Sequence, residues 1–113
     1  MSLKNWVDKL VSEKFQSEEE KSKELEKQNE LIEQVCNSMR DMLIKKNYSY
    51  GGNVFEPLKL KEGMTNIDMI DVRISDKLNR LIKGEEYEQE DTLNDLAGYI
   101  LLREAVKRYN RNK

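Results

Sequence analysis

Apolar residues recur at intervals of three and four over most of this chain, which is the spacing that places side chains on one face of an α-helix. No segment shows a competing period of two, so the pattern favours an all-α protein. The first periodic segment, residues 3–15, predicts a short amphipathic helix. Its apolar side consists of Trp6, Val7, Leu10, Val11 and Phe15.

A second, longer helix is predicted from Ser17 to about Lys46. Ser17 and Glu20 have the spacing of a capping box, which marks a helix start. Residues 18–30 are almost entirely polar, with Leu25 as the only large apolar side chain. This half is expected to project into solvent or to pair with another subunit. The later apolar positions are Leu31, Ile32, Val35, Met39, Met42 and Leu43.

The segment "NYSYGGN", residues 47–53, predicts a loop because its paired glycines tolerate positive φ angles. An irregular connection, "VFEPLKL", follows and is expected to place four apolar side chains against the core. Thr65 and Asp68 then have capping-box spacing and predict a third helix that ends at Gly84. The four apolar side chains of the connection are Val54, Phe55, Leu58 and Leu60.

A last helix is predicted over about residues 90–109, after the acidic linker "EEYEQED". Three to four helices of these lengths predict a small helical bundle with a long, charged N-terminal helical arm, residues 1–35. The buried side of the last helix is expected to comprise Leu93, Leu96, Ala97, Ile100, Leu101 and Ala105.

The composition restricts the chemistry that this bundle can perform. Charged residues make up 37% of the 113 residues, against ~25% in ordinary globular chains. Twenty bases and 22 acids nearly cancel, so the chain as a whole is not an electrostatic nucleic-acid binder. It has no histidine, and Cys36 is the single cysteine, which excludes an internal disulfide and the usual zinc sites. We expect a cytoplasmic protein that does not bind membranes.

Charged residues in "DVRISDKLNRL", residues 71–81, have the helical spacing usually taken by core residues. Arg73, Asp76, Lys77 and Arg80 form a stripe that lies beside an apolar stripe on the same helix. On the last helix, Asp91, Asp95 and Tyr99 are each one turn apart. The apolar stripe comprises Ile70, Ile74, Leu78 and Leu81.

Two interpretations of these charges stay open. In the first, the two polar stripes form a lattice of salt bridges in which Asp95 holds Arg73 or Arg80, and no ligand is involved. In the second, they form a pocket where the bases bind phosphate, the carboxylates orient the bases or hold a hydroxyl, and a tyrosine stacks on a nucleobase.

Three ordered blocks, "KKNYSYGGNVFEP", "VRISDKLNRL" and "EDTLNDLAGYILL", resemble the phage-associated helical family called the first nucleotide-modification-associated domain. The resemblance covers about residues 36–105 and implies that residues 36–113 form a nucleotide-binding-like helical domain. Residues 1–35 lie outside the resemblance. The ligand-binding positions that it implies are Tyr48, Tyr50, Gly51, Arg73, Asp76, Lys77, Arg80, Asp91, Asp95 and Tyr99.

Two activities are compatible with a nucleotide-binding domain of this kind. The first is capture of a nucleotide without turnover, as in the small helical phage proteins that sequester cyclic nucleotide immune signals, and the paucity of metal-ligating motifs favours it. The alternative is a magnesium-dependent nucleoside triphosphate pyrophosphohydrolase similar to MazG, or an accessory enzyme of nucleotide modification. In that case Glu88 with Asp91, or Asp91 with Asp95, would imitate an acidic pair. We predict no catalytic residue and no cofactor for the first activity.

The expected partners are a nucleotide or nucleotide-derived small molecule and further copies of the same chain. Self-association is predicted for the arm, because its apolar face would otherwise lie in water. The basic segment "REAVKRYNRNK" at residues 103–113 is interpreted as a favourable helix-dipole interaction. Nucleic-acid binding is the weakest interpretation, since one short basic segment makes few phosphate contacts.

Overall fold

A computed structural model of the chain describes residues 2–14, 17–84 and 91–113, with residues 12–14 described by their backbone alone. The described residues form four α-helices and contain no strand. The predicted all-α class, with a long and charged N-terminal helix, is therefore confirmed. Phe15 and Glu88 lie outside the described residues. The helices are α1 (Leu3–Lys14), α2 (Glu18–Ser49), α3 (Asn66–Lys83) and α4 (Thr92–Arg111).

The predicted helix boundaries depend on local hydrogen bonds that the structure contains. Ser17 Oγ accepts from the Glu20 N–H at 3.1 Å where α2 begins. At the start of α3, the Thr65 hydroxyl accepts from the Asp68 N–H, and the Asp68 carboxylate accepts from the Thr65 N–H, each at 3.0 Å. Gly84 closes α3 with a left-handed φ of 68°. The capping signals in the sequence thus fixed these ends correctly.

The chain divides into two compact units, Met1–Ser38 and Met39–Lys113. The first unit contains α1 and the polar part of α2. The second contains the last part of α2 together with α3 and α4. The oligomerisation role that we predict for residues 1–35 stays a prediction.

The core of the second unit lies where α3 and α4 pack against each other. Ile70 of α3 and Leu96 and Val106 of α4 are buried there. The last part of α2 also packs on α4, because a Cβ atom added to Gly98 would lie 3.3 Å from Leu43 Cδ2. Gly98 therefore lets two helices approach closely, and this contact fixes the end of α2 beside the α3–α4 pair.

The predicted buried face of α4 is largely wrong. Leu96 is buried and Ala105 is half-buried, as predicted. The other four, Leu93, Ala97, Ile100 and Leu101, are exposed. The reason is that α3 and the end of α2 together cover the opposite, wider arc of the helix. That arc contains small and polar residues, which hydrophobic periodicity assigns to the surface: Thr92, Asn94, Asp95, Gly98 and Tyr99.

Two other core predictions need correction. On α3, Leu78 and Leu81 are exposed, while the side chain of Lys77 is 13% exposed, so this one charged side chain is buried more deeply than the end of the apolar stripe. In the connection before α3, Leu58 and Leu60 are also exposed. Val54, Phe55 and Pro57 of the connection are half-buried.

Within residues 2–14, 17–84 and 91–113, no helix combines the length and the apolar character needed to cross a bilayer.

Candidate functional site

A pocket of about 410 Å³ lies in the second unit, bounded by the end of α2, the following loop, α3 and α4. Both apolar and polar side chains line it. The apolar lining residues are Met42, Leu43, Val54, Pro57, Met69, Ile70, Gly98 and Leu102. The polar and aromatic ones are Lys46, Asn47, Tyr50, Asn53, Arg73, Asp95 and Tyr99.

Two basic side chains, Lys46 and Arg73, line this pocket. Lys46 lies in the last turn of α2, and Arg73 lies near the middle of α3. Among the residues that the structure describes, neither side chain has an ion pair or a hydrogen bond. An anion that enters the pocket would therefore meet two cations that need not first leave another partner.

The loop after α2 forms part of the pocket wall. Gly51 and Gly52 have φ angles of 58° and 74°, so the chain reverses there without the strain that a side chain would cause. The Gly52 N–H donates to the Asn47 carbonyl at 3.1 Å, which folds the loop back onto α2. Tyr50 and Asn53 are thereby placed at the pocket wall.

The acid at the pocket, Asp95, is already paired. Lys77 Nζ lies 3.4 Å from its Oδ2, and the two side chains are 13% and 31% exposed, respectively. The salt-bridge interpretation assigned Asp95 to Arg73 or Arg80, but the structure pairs it with Lys77. Lys77 therefore offsets the charge of Asp95, and the pocket retains the positive charge of Lys46 and Arg73.

Four of the ten predicted site residues line the pocket: Tyr50, Arg73, Asp95 and Tyr99. A fifth, Lys77, contacts it through Asp95. These residues come from three separate blocks of sequence, and the packing of α3 on α4 and the loop after α2 bring them together.

The other five predicted residues are not among the lining residues. Tyr48 is 84% exposed. Gly51 shapes the loop through its positive φ. Asp76 lies 3.9 Å from Arg80 on α3. Asp91 is the N-cap of α4, where its carboxylate accepts from the Asn94 N–H at 3.0 Å.

Sequence reasoning missed Lys46, Asn47 and Asn53. A signal for Lys46 was present, because it follows Met39 and Met42 at helical spacing on α2, and so extends the apolar stripe that faces α4. Asn47 and Asn53 flank Tyr48 and Tyr50, which the resemblance implies, but Asn47 lies in α2 and Asn53 in the loop. Only the folding of the loop back onto α2 places both at the pocket.

A hydrogen-bonded cluster fastens the pocket loop to the end of α4. Tyr109 Oη donates to Glu56 Oε1 at 2.5 Å, and Lys113 Nζ lies 2.6 Å from the same oxygen. Phe55 packs edge-on against the Tyr109 ring, with 5.3 Å between centroids. Hydrogen bonds from Lys113 and Tyr109 lower the pKa of Glu56, and the bond to Glu56 raises the pKa of Tyr109. These contacts hold the loop residues that follow Asn53 and Val54 of the pocket wall.

The described part of the chain contains no group of three or more carboxylates or thiols placed to hold a metal ion. Asp91 and Asp95, the acidic pair of the hydrolase alternative, are engaged with the Asn94 N–H and with Lys77. A magnesium site that uses Glu88 would draw on a residue outside the described ones.

Comparisons with protein-family models, with curated proteins and with solved structures give no match for this chain.

Proposed function

We propose that the pocket binds a nucleotide or nucleotide-derived small molecule and holds it without turnover. Its role would be that of a phage-type protein that sequesters a nucleotide, such as a cyclic immune signal. The resemblance to the first nucleotide-modification-associated domain suggests the phage-type role. The observation that supports it most is the presence of two cations, Lys46 and Arg73, and two tyrosines, Tyr50 and Tyr99, in the lining of one partly apolar pocket.

Each part of a nucleotide has a chemically suitable counterpart in this lining. Phosphate oxygens accept hydrogen bonds from a guanidinium and an ammonium, and Arg73 can present two parallel donors. A nucleobase can stack on Tyr50 or Tyr99. The amides of Asn47 and Asn53 can each donate to and accept from a base edge or a ribose hydroxyl.

The size of the pocket fits a small ligand. Its volume of about 410 Å³ lies within the ~300–1,000 Å³ that small-molecule sites usually have. A mononucleotide is of this scale, and a larger cyclic nucleotide would place one unit in the pocket and extend the other beyond the mouth.

Nucleotide capture is favoured over hydrolysis because the carboxylates that could hold a metal ion already have partners within the protein. A magnesium-dependent pyrophosphohydrolase holds its metal with several free carboxylates. At this pocket the lining acid Asp95 is bound to Lys77. The hydrolase stays the alternative proposal, with Glu88 as the acid that it would have to recruit.

The test is incubation of the purified chain with a panel of linear and cyclic nucleotides, followed by mass analysis of the bound and the released fractions. We expect one class of nucleotide to be retained and released intact. An altered nucleotide would establish the enzyme alternative, and retention of no nucleotide would overturn both.

Variants of Arg73 test whether the nucleotide binds in this pocket. Arg73→Ala and Arg73→Lys should both lose retention, because a lysine cannot reproduce the two-pronged contact of a guanidinium. Arg111→Ala is the matched control, since Arg111 lies at the end of α4 near Glu104 and away from the pocket lining. Equal loss in Arg111→Ala would argue against the pocket as the binding site.

A further inference from the structure

The polar part of α2, residues 18–38, is exposed along its whole length. No residue anywhere in α2 is buried. In the first unit, Leu25, Ile32 and Val35 are 49%, 60% and 68% exposed. These three apolar side chains therefore lie in water in the single chain, at a cost that increases with their exposed area.

The exposed residues belong to a seven-residue repeat. Leu25, Ile32 and Met39 are spaced by seven, and Gln28, Val35 and Met42 form a second series three residues later. This is the a and d pattern of a coiled coil. We call the part of it in the first unit, Leu25, Gln28, Ile32 and Val35, the α2 seam.

The same face of the helix is already a packing face further along. Met39 and Met42 are half-buried, and their side chains lie 3.8 Å from the position that a Cβ of Gly98 would occupy. The α2 seam therefore continues a stripe whose last members pack on another helix of the chain.

Ion pairs do not explain why this segment is helical. Within residues 17–38, all of which are described, the single ion pair is Glu19 with Lys23 at 3.5 Å, and both side chains are largely exposed. Such a pair stabilises a helix by only ~0.3–0.5 kcal/mol. Isolated polar helices are marginal in water, so a helix of this kind normally depends on a packed face.

The positions that flank the α2 seam are suited to a second copy of the same chain. Between residues 25 and 38, the flanking e and g positions are Asn29, Leu31, Cys36 and Ser38, none of which is charged. The acids of this stretch, Glu26, Glu30 and Glu33, fall at the outer b and f positions. Two identical helices can therefore meet along this face without bringing their acids together.

We infer that the α2 seam pairs with the α2 seam of a second copy of this chain in a coiled coil. The first unit also supplies α1, whose face of Trp6, Val7, Leu10 and Val11 is exposed as well. This inference is independent of the nucleotide pocket.

The test is the mass of the full chain in solution, measured by light scattering over a range of concentrations. The wild type should have at least twice the monomer mass of 13.4 kDa. Val35→Asp, which puts a charge on the seam, should shift the mass to that of a monomer. The matched control is Gln34→Asp, which adds the same charge one residue away at an outer position and should leave the mass unchanged.

A second measurement does not depend on a disruptive variant. The midpoint of thermal unfolding should rise with protein concentration in the wild type, since association stabilises the folded chain. Val35→Ile should raise it further at a fixed concentration. A monomeric wild type, an oligomer that persists in Val35→Asp, or equal dissociation by Gln34→Asp would each overturn the inference.

Discussion

Arg103 of α4 holds Asp71 of α3 through two hydrogen bonds. Arg103 Nε donates to Asp71 Oδ1 at 2.6 Å, and Nη2 donates to Oδ2 at 3.2 Å. The hydrogen bonds from Arg103 lower the pKa of Asp71 below its ordinary value of 3.8. The pair therefore links the two helices that form the core, and the strength of this link depends on pH.

The pH dependence of this link is the first prediction. Because the folded chain holds Asp71 with a lowered pKa, the unfolded chain binds the proton more readily in acid. The stabilisation by the pair is complete above pH 3.8 and is lost as the pH falls through the lowered pKa. The gap in melting temperature between the wild type and Asp71→Asn should therefore be largest near neutral pH and should close in acid.

Asp41→Asn is the control for that titration, because Asp41 contacts its immediate neighbour Arg40 and links no two helices. Its melting temperature should follow the wild type at every pH. A gap between the wild type and Asp71→Asn that stays constant down to pH 2 would contradict the role given to the pair.

The contact between Lys77 and Asp95 leads to the second prediction. Both side chains are less than one third exposed, so removal of the acid leaves a partly buried ammonium without its counter-ion. Asp95→Ala should lower the free energy of unfolding by about 1 to 3 kcal/mol. The double variant with Lys77→Met should recover part of this loss, as a chemical denaturation cycle would show. Additive losses would mean that the two groups do not interact.

Gly98 provides the third prediction, which tests how the end of α2 sits on α4. A Cβ at this position would lie 3.3 Å from Leu43 Cδ2, so the larger side chain of Gly98→Val must displace α2 or the Leu43 side chain. We expect a loss of about 1 to 3 kcal/mol in the free energy of unfolding by denaturant. Ala97→Val, at the exposed neighbouring position, should cost much less. Equal losses in Gly98→Val and Ala97→Val would mean that the end of α2 does not pack on α4 at Gly98.

Chelation separates capture from hydrolysis and is the fourth prediction. If Lys46 and Arg73 hold the phosphate, nucleotide binding measured by calorimetry should be unchanged in excess EDTA. Magnesium-bridged binding should disappear under the same conditions. Loss of all binding with the chelator would therefore favour the pyrophosphohydrolase alternative.

The helices were predictable because their signals are local. The capping pair Thr65 and Asp68, and the left-handed Gly84, act through hydrogen bonds and backbone angles within a few residues. The buried face of α4 was not predictable in the same way. Leu93 and Ile100 are as apolar as Leu96, and which of them is buried depends on where α3 and α2 lie.

The site shows the same division between local and long-range information. Arg73, Asp95 and Tyr99 could be selected from sequence, because charged or aromatic residues beside an apolar stripe are conspicuous. The pairing of Asp95 with Lys77 instead of an arginine depends on the rotation of α3 against α4, which the spacing alone leaves open. Lys46 joins the pocket through the packing of α2 on Gly98, a contact between residues far apart in the chain.

The most direct test of the proposed function is the dissociation constant of the retained nucleotide for Lys46→Ala and Lys45→Ala, measured by calorimetry. The two lysines are adjacent on α2, but Lys46 lines the pocket and Lys45 does not. Lys46→Ala should weaken binding by about 1.5 to 3 kcal/mol, the usual contribution of a charge-assisted hydrogen bond, and Lys45→Ala should leave it unchanged. Equal weakening by both variants, or a wild type that binds no nucleotide, would contradict the account.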